Sequence, residues 1–224
     1  MKNKSTNSIL FLGKKSDKYC DRALAFVEAN FENVTTYYSA WGEPMPPEIR
    51  NWQGDYILSY LCRWVVPAST IEMAKYAAIN FHPAPPAYPG LGCNNYALYD
   101  NAPEYGVTCH HMATKVDTGK IIAVRRFPVF PTDDVSSLLH RSYEFQLVLF
   151  YEIVSKILTN QPLPESTEQW TGRHHSREEF NTLGIIRPEM SDDEIARRVR
   201  AASYGVFQPT VDLGEFRFML KVDK

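Results

Sequence analysis

Asn80-Phe81-His82-Pro83 is the sharpest chemical feature of this 224-residue sequence. In an extended chain, residues two apart project to the same side. Asn80 and His82 are therefore expected to point together while Phe81 turns into a core. A side-chain amide beside an imidazole suits acyl transfer: the amide can donate to an oxygen that gathers negative charge, and the imidazole can move a proton. Taken alone, the pattern also fits a loop histidine hydrogen-bonded to backbone. Other histidines fall in adjacent pairs. His110 and His111 lie in a strand-like stretch, where neighbours face opposite ways, so joint ligation of one metal is disfavoured and no metal is expected. His174 and His175, flanked by Arg173 and Arg177, read as a solvated face, with anion binding as the alternative. Cys20, Cys62, Cys93 and Cys109 are widely spaced without a C-x-x-C and read as reduced, packed thiols, with a structural zinc site as the competing reading.

These side chains need a scaffold, and the first two thirds of the chain alternate strand-like and helix-like patterns. Ser8-Ile9-Leu10-Phe11-Leu12, ended by Gly13, predicts a buried strand. Asp17 to Glu32 carries Ala23, Leu24, Phe26, Val27 and Phe31 at helical spacing, and Val34 to Tyr38 predicts a second strand. Tyr56 to Ser59 is a third, and a helix over Ile71 to Ala77 leads into a fourth at Ala78 to Phe81. Parallel strands need crossover connections, so this order implies an α/β fold with a mostly parallel sheet covered by helices. Open sheets of this kind build their sites at the carboxyl ends of strands, where Asn80 and His82 are expected. No G-x-G-x-x-G follows a strand, which argues against a dinucleotide cofactor.

From His82 to Gly92, four prolines and two glycines in eleven residues make a loop stiff in φ. Strands are expected over Tyr105 to Met112 and Ile121 to Phe127, joined across Val116-Asp117-Thr118-Gly119. A long amphipathic helix, Val135 to Leu158, follows the acidic cap material Thr132-Asp133-Asp134. Gln161-Pro162-Leu163-Pro164 reads as a linker, dividing a catalytic domain at 1–160 from a short α+β extension at 161–224. The extension holds a helix over Asp192 to Ala202, capped by Ser191 with Glu194 three residues on, and a hairpin strand at Glu215 to Leu220. Phe216, Phe218 and Leu220 alternate there, a face that suits pairing across a two-fold, so a homodimer is expected.

The composition, 44% hydrophobic and 22% charged, is that of an ordinary globular protein. A formal net charge of −2 provides no general attraction to nucleic acid. The start, Met1 to Asn7, is polar and expected to be flexible. The apolar run after it, Ile9 to Leu12, is too short for a signal peptide core or a membrane span. The expected location is the cytoplasm, away from membranes.

Four blocks occur in a fixed order: Asn80-Phe81-His82-Pro83, Tyr88-Pro89-Gly90, Tyr105-Gly106-Val107-Thr108-Cys109-His110-His111-Met112, and Val116-Asp117-Thr118-Gly119-Lys120-Ile121-Ile122. Together they resemble the formyltransferases that use 10-formyltetrahydrofolate. The resemblance covers about Ile9 to Leu158. It implies a Rossmann-like formyltransferase domain, N10-formyltetrahydrofolate as co-substrate, and Asn80, His82 and Asp117 as the catalytic trio. In that picture a carboxylate beside an imidazole favours the protonated ring, a suitable donor to an oxyanion. His110 supports the site, and Asp117 and Gly119 belong to a loop that wraps a flat ring. Ser59 to Pro67 resembles the family's pterin loop, which implies cofactor contacts from Arg63, Trp64, Val65 and Val66.

The same resemblance bears on the acceptor. Phe11-Leu12-Gly13-Lys14-Lys15-Ser16-Asp17 departs from the phosphate loop of the purine-pathway enzymes. The tail after Asn160 is shorter and less basic than the barrel with which initiator-tRNA enzymes grip phosphate. The chain is most similar to enzymes that formylate a nucleotide-linked amino sugar. A dTDP-4-amino-4,6-dideoxyhexose is the preferred acceptor, and bacterial surface polysaccharide, including lipopolysaccharide O-antigen, the implied destination. Lys14 and Lys15 would then meet a pyrophosphate, and Tyr88, Gly90 and Tyr96 would lie against sugar or base. The alternatives are a formyltetrahydrofolate hydrolase, another amine acceptor, or a non-catalytic binding module.

Overall fold

The computed structural model describes residues 4–205 and 208–221. Met1–Asn3, part of the polar start, lie outside the described residues. Ser5–Asn7 do not form a loose arm, because β1 (Ser5–Lys14) already begins there. Ser8 is tied down by Asp55, whose carboxylate accepts from its backbone N–H and its hydroxyl at 2.8 and 2.9 Å. Among the described residues, no helix is long and apolar enough to cross a membrane.

The chain folds as two compact units. The first comprises 1–83, 107–125 and 143–170; the second comprises 84–106, 126–142 and 171–224. In the first, β1 is flanked by β2 (Phe31–Ser39) and β3 (Gly54–Tyr60), both parallel to it, and β3 is parallel to β4 (Ala74–His82). β5 (Glu104–His111) reverses against β4, and β6 (Ile121–Pro128) completes the order β2-β1-β3-β4-β5-β6. The mostly parallel α/β sheet is the expected one. Ile9, Leu10, Phe11 and Leu12 are all 0% exposed, the continuous apolar run of a strand covered on both faces.

Helix ends follow local chemistry. α1 (Lys18–Asn30) starts where Asp17 accepts from the N–H groups of Tyr19 and Cys20 at 3.0 and 3.2 Å, a cap typically worth about 1 kcal/mol. The helix expected over Ile71–Ala77 is absent. Helix α2 is a single turn, Ala68–Ile71, that follows Pro67, and Ala74–Ala77 already belong to β4. Pairing decides this: Ala77 and Ala78 lie opposite Tyr56 and Ile57 of β3, which overrides alanine's helix preference.

In the first unit the carboxyl-terminal part of α4 (Val135–Leu158) packs on the sheet through Phe150. Its ring stands 4.9 Å from Phe81, 5.3 Å from Tyr60 and 6.3 Å from Phe11, all four rings buried. Buried Gln146 adds a specific tie, donating from Nε2 to the carbonyl of Phe81 at 2.6 Å. That bond holds the backbone between Asn80 and His82.

In the second unit, α3 (Cys93–Tyr99) packs on α6 (Asp192–Ala202). Asn95 donates to the Ala201 carbonyl at 2.7 Å and the Tyr99 hydroxyl to Glu194 at 2.9 Å. The Ser191 cap bonds the Glu194 N–H as its spacing predicted. The sequence reading missed α5 (Arg177–Leu183), which opens with a full capping box between Ser176 and Glu179. A small sheet joins β7 (Ile185–Ile186), β8 (Thr210–Leu213) and β9 (Phe216–Met219), the last within the hairpin strand expected at Glu215–Leu220.

Candidate active site

The register of β3, β4 and β5 sets Ser59 opposite Asn80 and Asn80 opposite His110. Three polar side chains thereby share one face at the carboxyl end of β4. The Ser59 hydroxyl donates to Asn80 Oδ1 at 2.8 Å, and Asn80 Nδ2 lies 3.0 Å from His110 Nε2. His110 Nδ1 stands 2.8 Å from the carbonyl oxygen of His111. A carbonyl can only accept, so Nδ1 carries the proton and, in the neutral ring, Nε2 accepts from the amide. The asparagine is thus locked with its oxygen toward Ser59. One N–H is spent on His110, and one remains uncommitted.

Asp117 arrives from the β5–β6 connection. Its carboxylate sits 3.3 Å from His82 Nδ1 through Oδ2 and 3.3 Å from His110 Nε2 through Oδ1. It is only 4% exposed, and the two histidines 5% and 2%. Through Oδ2 the carboxylate can take a hydrogen bond from His82 Nδ1 and orient that ring, whereas Oδ1 faces the His110 nitrogen that accepts from Asn80 and would gain a bond from it only if that ring took up a second proton. Asp117 holds a left-handed backbone, φ 49°, which aspartate and asparagine tolerate better than most residues.

Gly119 explains the glycine two positions on. A Cβ there would lie 1.7 Å from the His111 carbonyl oxygen and 2.8 Å from its carbon. Those atoms belong to the backbone of β5, so they cannot swing aside. Gly119→Ala is expected to displace the Asp117 loop, destabilise the protein by about 1–3 kcal/mol or more and abolish turnover. Thermal denaturation and an activity assay check this; a parental melting temperature and rate would show that the close approach is dispensable.

An open cleft of about 80 Å³ lies over this polar floor, lined by Ser59, Asn80, His110 and Asp117 and by Cys62, Trp64, Val65, Val66, Met112, Ala113 and Val116. Val65 and Val116 at its rim are 67% and 45% exposed. Apolar walls over a few converging polar groups are the usual make-up of a site for a flat ligand. Of the residues expected to meet a cofactor, Trp64, Val65, Val66 and Asp117 line the cleft. Arg63 is directed elsewhere: its guanidinium lies over the Trp41 ring, 4.5 Å from the centroid, and Trp64 Nε1 donates to the Glu43 carbonyl. Gly119 acts through the loop's backbone. A larger cavity, about 280 Å³, includes His111 and Tyr56 in its lining, on the opposite face of the sheet from Asn80 and His110. Burial, with His110 and Lys120 nearby, pushes the His111 imidazole below its ordinary pKa.

The residues expected to meet the acceptor belong to both units. Lys14 pairs with Asp17 at 2.7 Å and lies over the Tyr143 ring, and Lys15 pairs with Glu43 at 3.5 Å. Tyr88, Gly90 and Tyr96 belong to the second unit. There the Tyr88 hydroxyl donates to Asp100 at 3.2 Å, Gly90 takes φ 80° beside His174, and Tyr96 stacks on His175 with centroids 3.4 Å apart. Sequence reasoning missed Ser59 and Gln146 as supports of the amide and of its strand. Met112 was visible in the third block as the residue after the histidine pair, and Ala113 and Val116 flank the same loop.

Residues 15–154 match the formyl transferase family. GDP-perosamine N-formyltransferase of Brucella melitensis biotype 1 is 30% identical over 162 residues, 72% of this chain and 61% of that protein. Methionyl-tRNA formyltransferase of Latilactobacillus sakei subsp. sakei is also 30% identical, over 163 residues, 71% of this chain and 50% of its own length. The chain therefore spans about half to three fifths of the length of these curated relatives. A solved N-formyltransferase from Helicobacter canadensis, in complex with folinic acid and dTDP-3-aminofucose, aligns with a TM-score of 0.71 at 18% identity, covering 94% of this chain and 85% of that one. That likeness concerns the fold.

Proposed function

Because the chain belongs to the formyl transferase family, we propose that it moves a formyl group from N10-formyltetrahydrofolate to the amino group of a nucleotide-linked sugar. The observation that carries this reading is the locked Asn80 amide beside a carboxylate shared by two imidazoles, on the floor of a cleft with apolar walls. The donor set fits a folate: Trp64, Val65, Val66 and Met112 offer contact to a flat heterocycle, and Asn80, His110 and Asp117 of the same lining offer polar groups. Bound there, the folate supplies an acyl carbon activated for attack. Asn80 gives its uncommitted N–H to the acyl oxygen as negative charge develops on it. His82 and Asp117 take and pass on the proton that the attacking amine loses. His110 keeps the amide turned.

A net charge of −2 provides no electrostatic grip on tRNA. One relative is named for GDP-perosamine and one structural neighbour was solved with dTDP-3-aminofucose, which supports a nucleotide-linked amino sugar here. The preferred member remains a dTDP-4-amino-4,6-dideoxyhexose destined for surface polysaccharide, with Lys14 and Lys15 toward its pyrophosphate. Pairing of two copies through β9 is part of the same reading. Phe216 and Phe218 of that alternating face are 71% and 55% exposed, an apolar edge of the kind that pairs, whereas Leu220, one residue past β9, is half-buried.

The deciding assay incubates the protein with 10-formyltetrahydrofolate and a panel of dTDP- and GDP-linked amino sugars. Tetrahydrofolate is expected only with an amine acceptor, together with an N-formylated sugar. Formate release without an acceptor would identify a hydrolase, and formylation of methionyl-tRNA would move the acceptor class.

A further inference from the structure

Trp170 meets the candidate site from a stretch outside every sequence block. Its indole Nε1 donates to the carbonyl of Gly119 at 2.8 Å. The same ring stands edge-to-face against both imidazoles, with centroids 5.7 Å from His82 at 66° and 5.0 Å from His110 at 89°. The chain leading to it is tethered to the same segment. Lys120 pairs with Glu165 at 2.8 Å, and the Ser166 N–H donates to the Ile121 carbonyl at 3.3 Å. Residues 165–170 thus run along 119–121 with three attachments, and the last is the indole.

This placement bears on two weaknesses of the site. Asp117 is carried by a loop with a left-handed residue, and its contacts to the imidazoles, 3.3 Å each, are long. Each imidazole can also turn about its Cβ–Cγ bond, and a flip exchanges nitrogen for carbon at the Asp117 contact. An indole packed across both rings removes the space for a flip, and its N–H holds the loop two residues beyond Asp117. Acyl transfer is sensitive to such placement, because a shift of about 1 Å in a reacting group can cost ~100-fold in rate.

We propose that Trp170 is a positioning residue: it fixes the Asp117–Gly119 loop and the His82 and His110 rings as one unit without itself touching a substrate. The inference rests on the reading of the cleft as a formyl-transfer site. Its test compares the parent with Trp170→Leu, which keeps apolar volume, and Trp170→Phe, which keeps a ring but lacks the N–H. Trp170→Leu is expected to lower kcat about 10- to 100-fold, with both KM values within about threefold of the parent. Trp170→Phe recovers part of the loss. A parental kcat in Trp170→Leu, or a loss confined to KM, overturns the proposal.

A second measurement needs no turnover. With 15N-labelled histidine, the His82 and His110 rings are expected to give single sharp imidazole signals in the parent and broadened or doubled ones in Trp170→Leu. Sharp single signals in both proteins overturn the proposal. If the parent formylates no amine while the ring signals respond as expected, the functional reading fails and the positioning role stands.

Discussion

Asn80→Ala is expected to lower the proposed formyl transfer about 100- to 1,000-fold while the protein stays folded, the typical cost of one lost oxyanion donor. The expectation follows from how the amide is held. Ser59 takes its oxygen at 2.8 Å and His110 one of its N–H groups at 3.0 Å, so the remaining N–H is turned in advance of any substrate. Donors oriented beforehand need no reorganisation when charge develops, which is why deletion affects kcat rather than binding. The variant leaves the Ser59 hydroxyl and His110 Nε2 without this partner, at a stability cost of about 1–3 kcal/mol. Single-turnover kinetics and a thermal melt separate the two effects. A folded variant with kcat within about threefold of the parent would remove Asn80 from the chemistry.

Asp117→Asn is the second large effect. Asparagine occupies left-handed backbone as readily as aspartate, so the loop at φ 49° keeps its path and the melting temperature stays near the parent's. What disappears is the negative charge 3.3 Å from each of two buried imidazoles. A lost general base typically costs about 100- to 10,000-fold in turnover. Asp117→Ala should show a comparable rate loss and in addition lose about 1–2 kcal/mol of stability, because a Cβ without a local polar partner disfavours that backbone region. Equal kcat in the parent and Asp117→Asn, measured across pH 6 to 9, would reduce the carboxylate to a structural group.

The two variants probe features of unequal visibility. Asn80 and His82 could be read from strand alternation, and Asp117 and Gly119 from their place in an ordered set of blocks. The need for a glycine at position 119 is different. It arises from the approach of another strand's carbonyl to 1.7 Å of a missing Cβ, which spacing along the chain does not reveal. The error over Ile71–Ala77 has the same origin. Alanines favour a helix in isolation, and pairing with β3 makes them strand. The pterin-loop residues divided likewise: three of the four line the cleft, whereas Arg63 turns to Trp41, a choice set by a loop distant in sequence.

By itself the sequence determined most strands of the main sheet, the cap of α6, the extent of α4, and which residues could carry acyl chemistry. These depend on interactions within a few residues, where side-chain type and backbone preference act directly. Only the tertiary structure decided that Ser59 and His110 turn the Asn80 amide, that Gln146 holds the strand beside it, and that Trp170 lies across two imidazoles. Each of those contacts joins segments at least 21 residues apart, and strand register and chain reversal bring them together. Register is a property of the whole packed sheet: a slip of one residue would turn Asn80 to the opposite face.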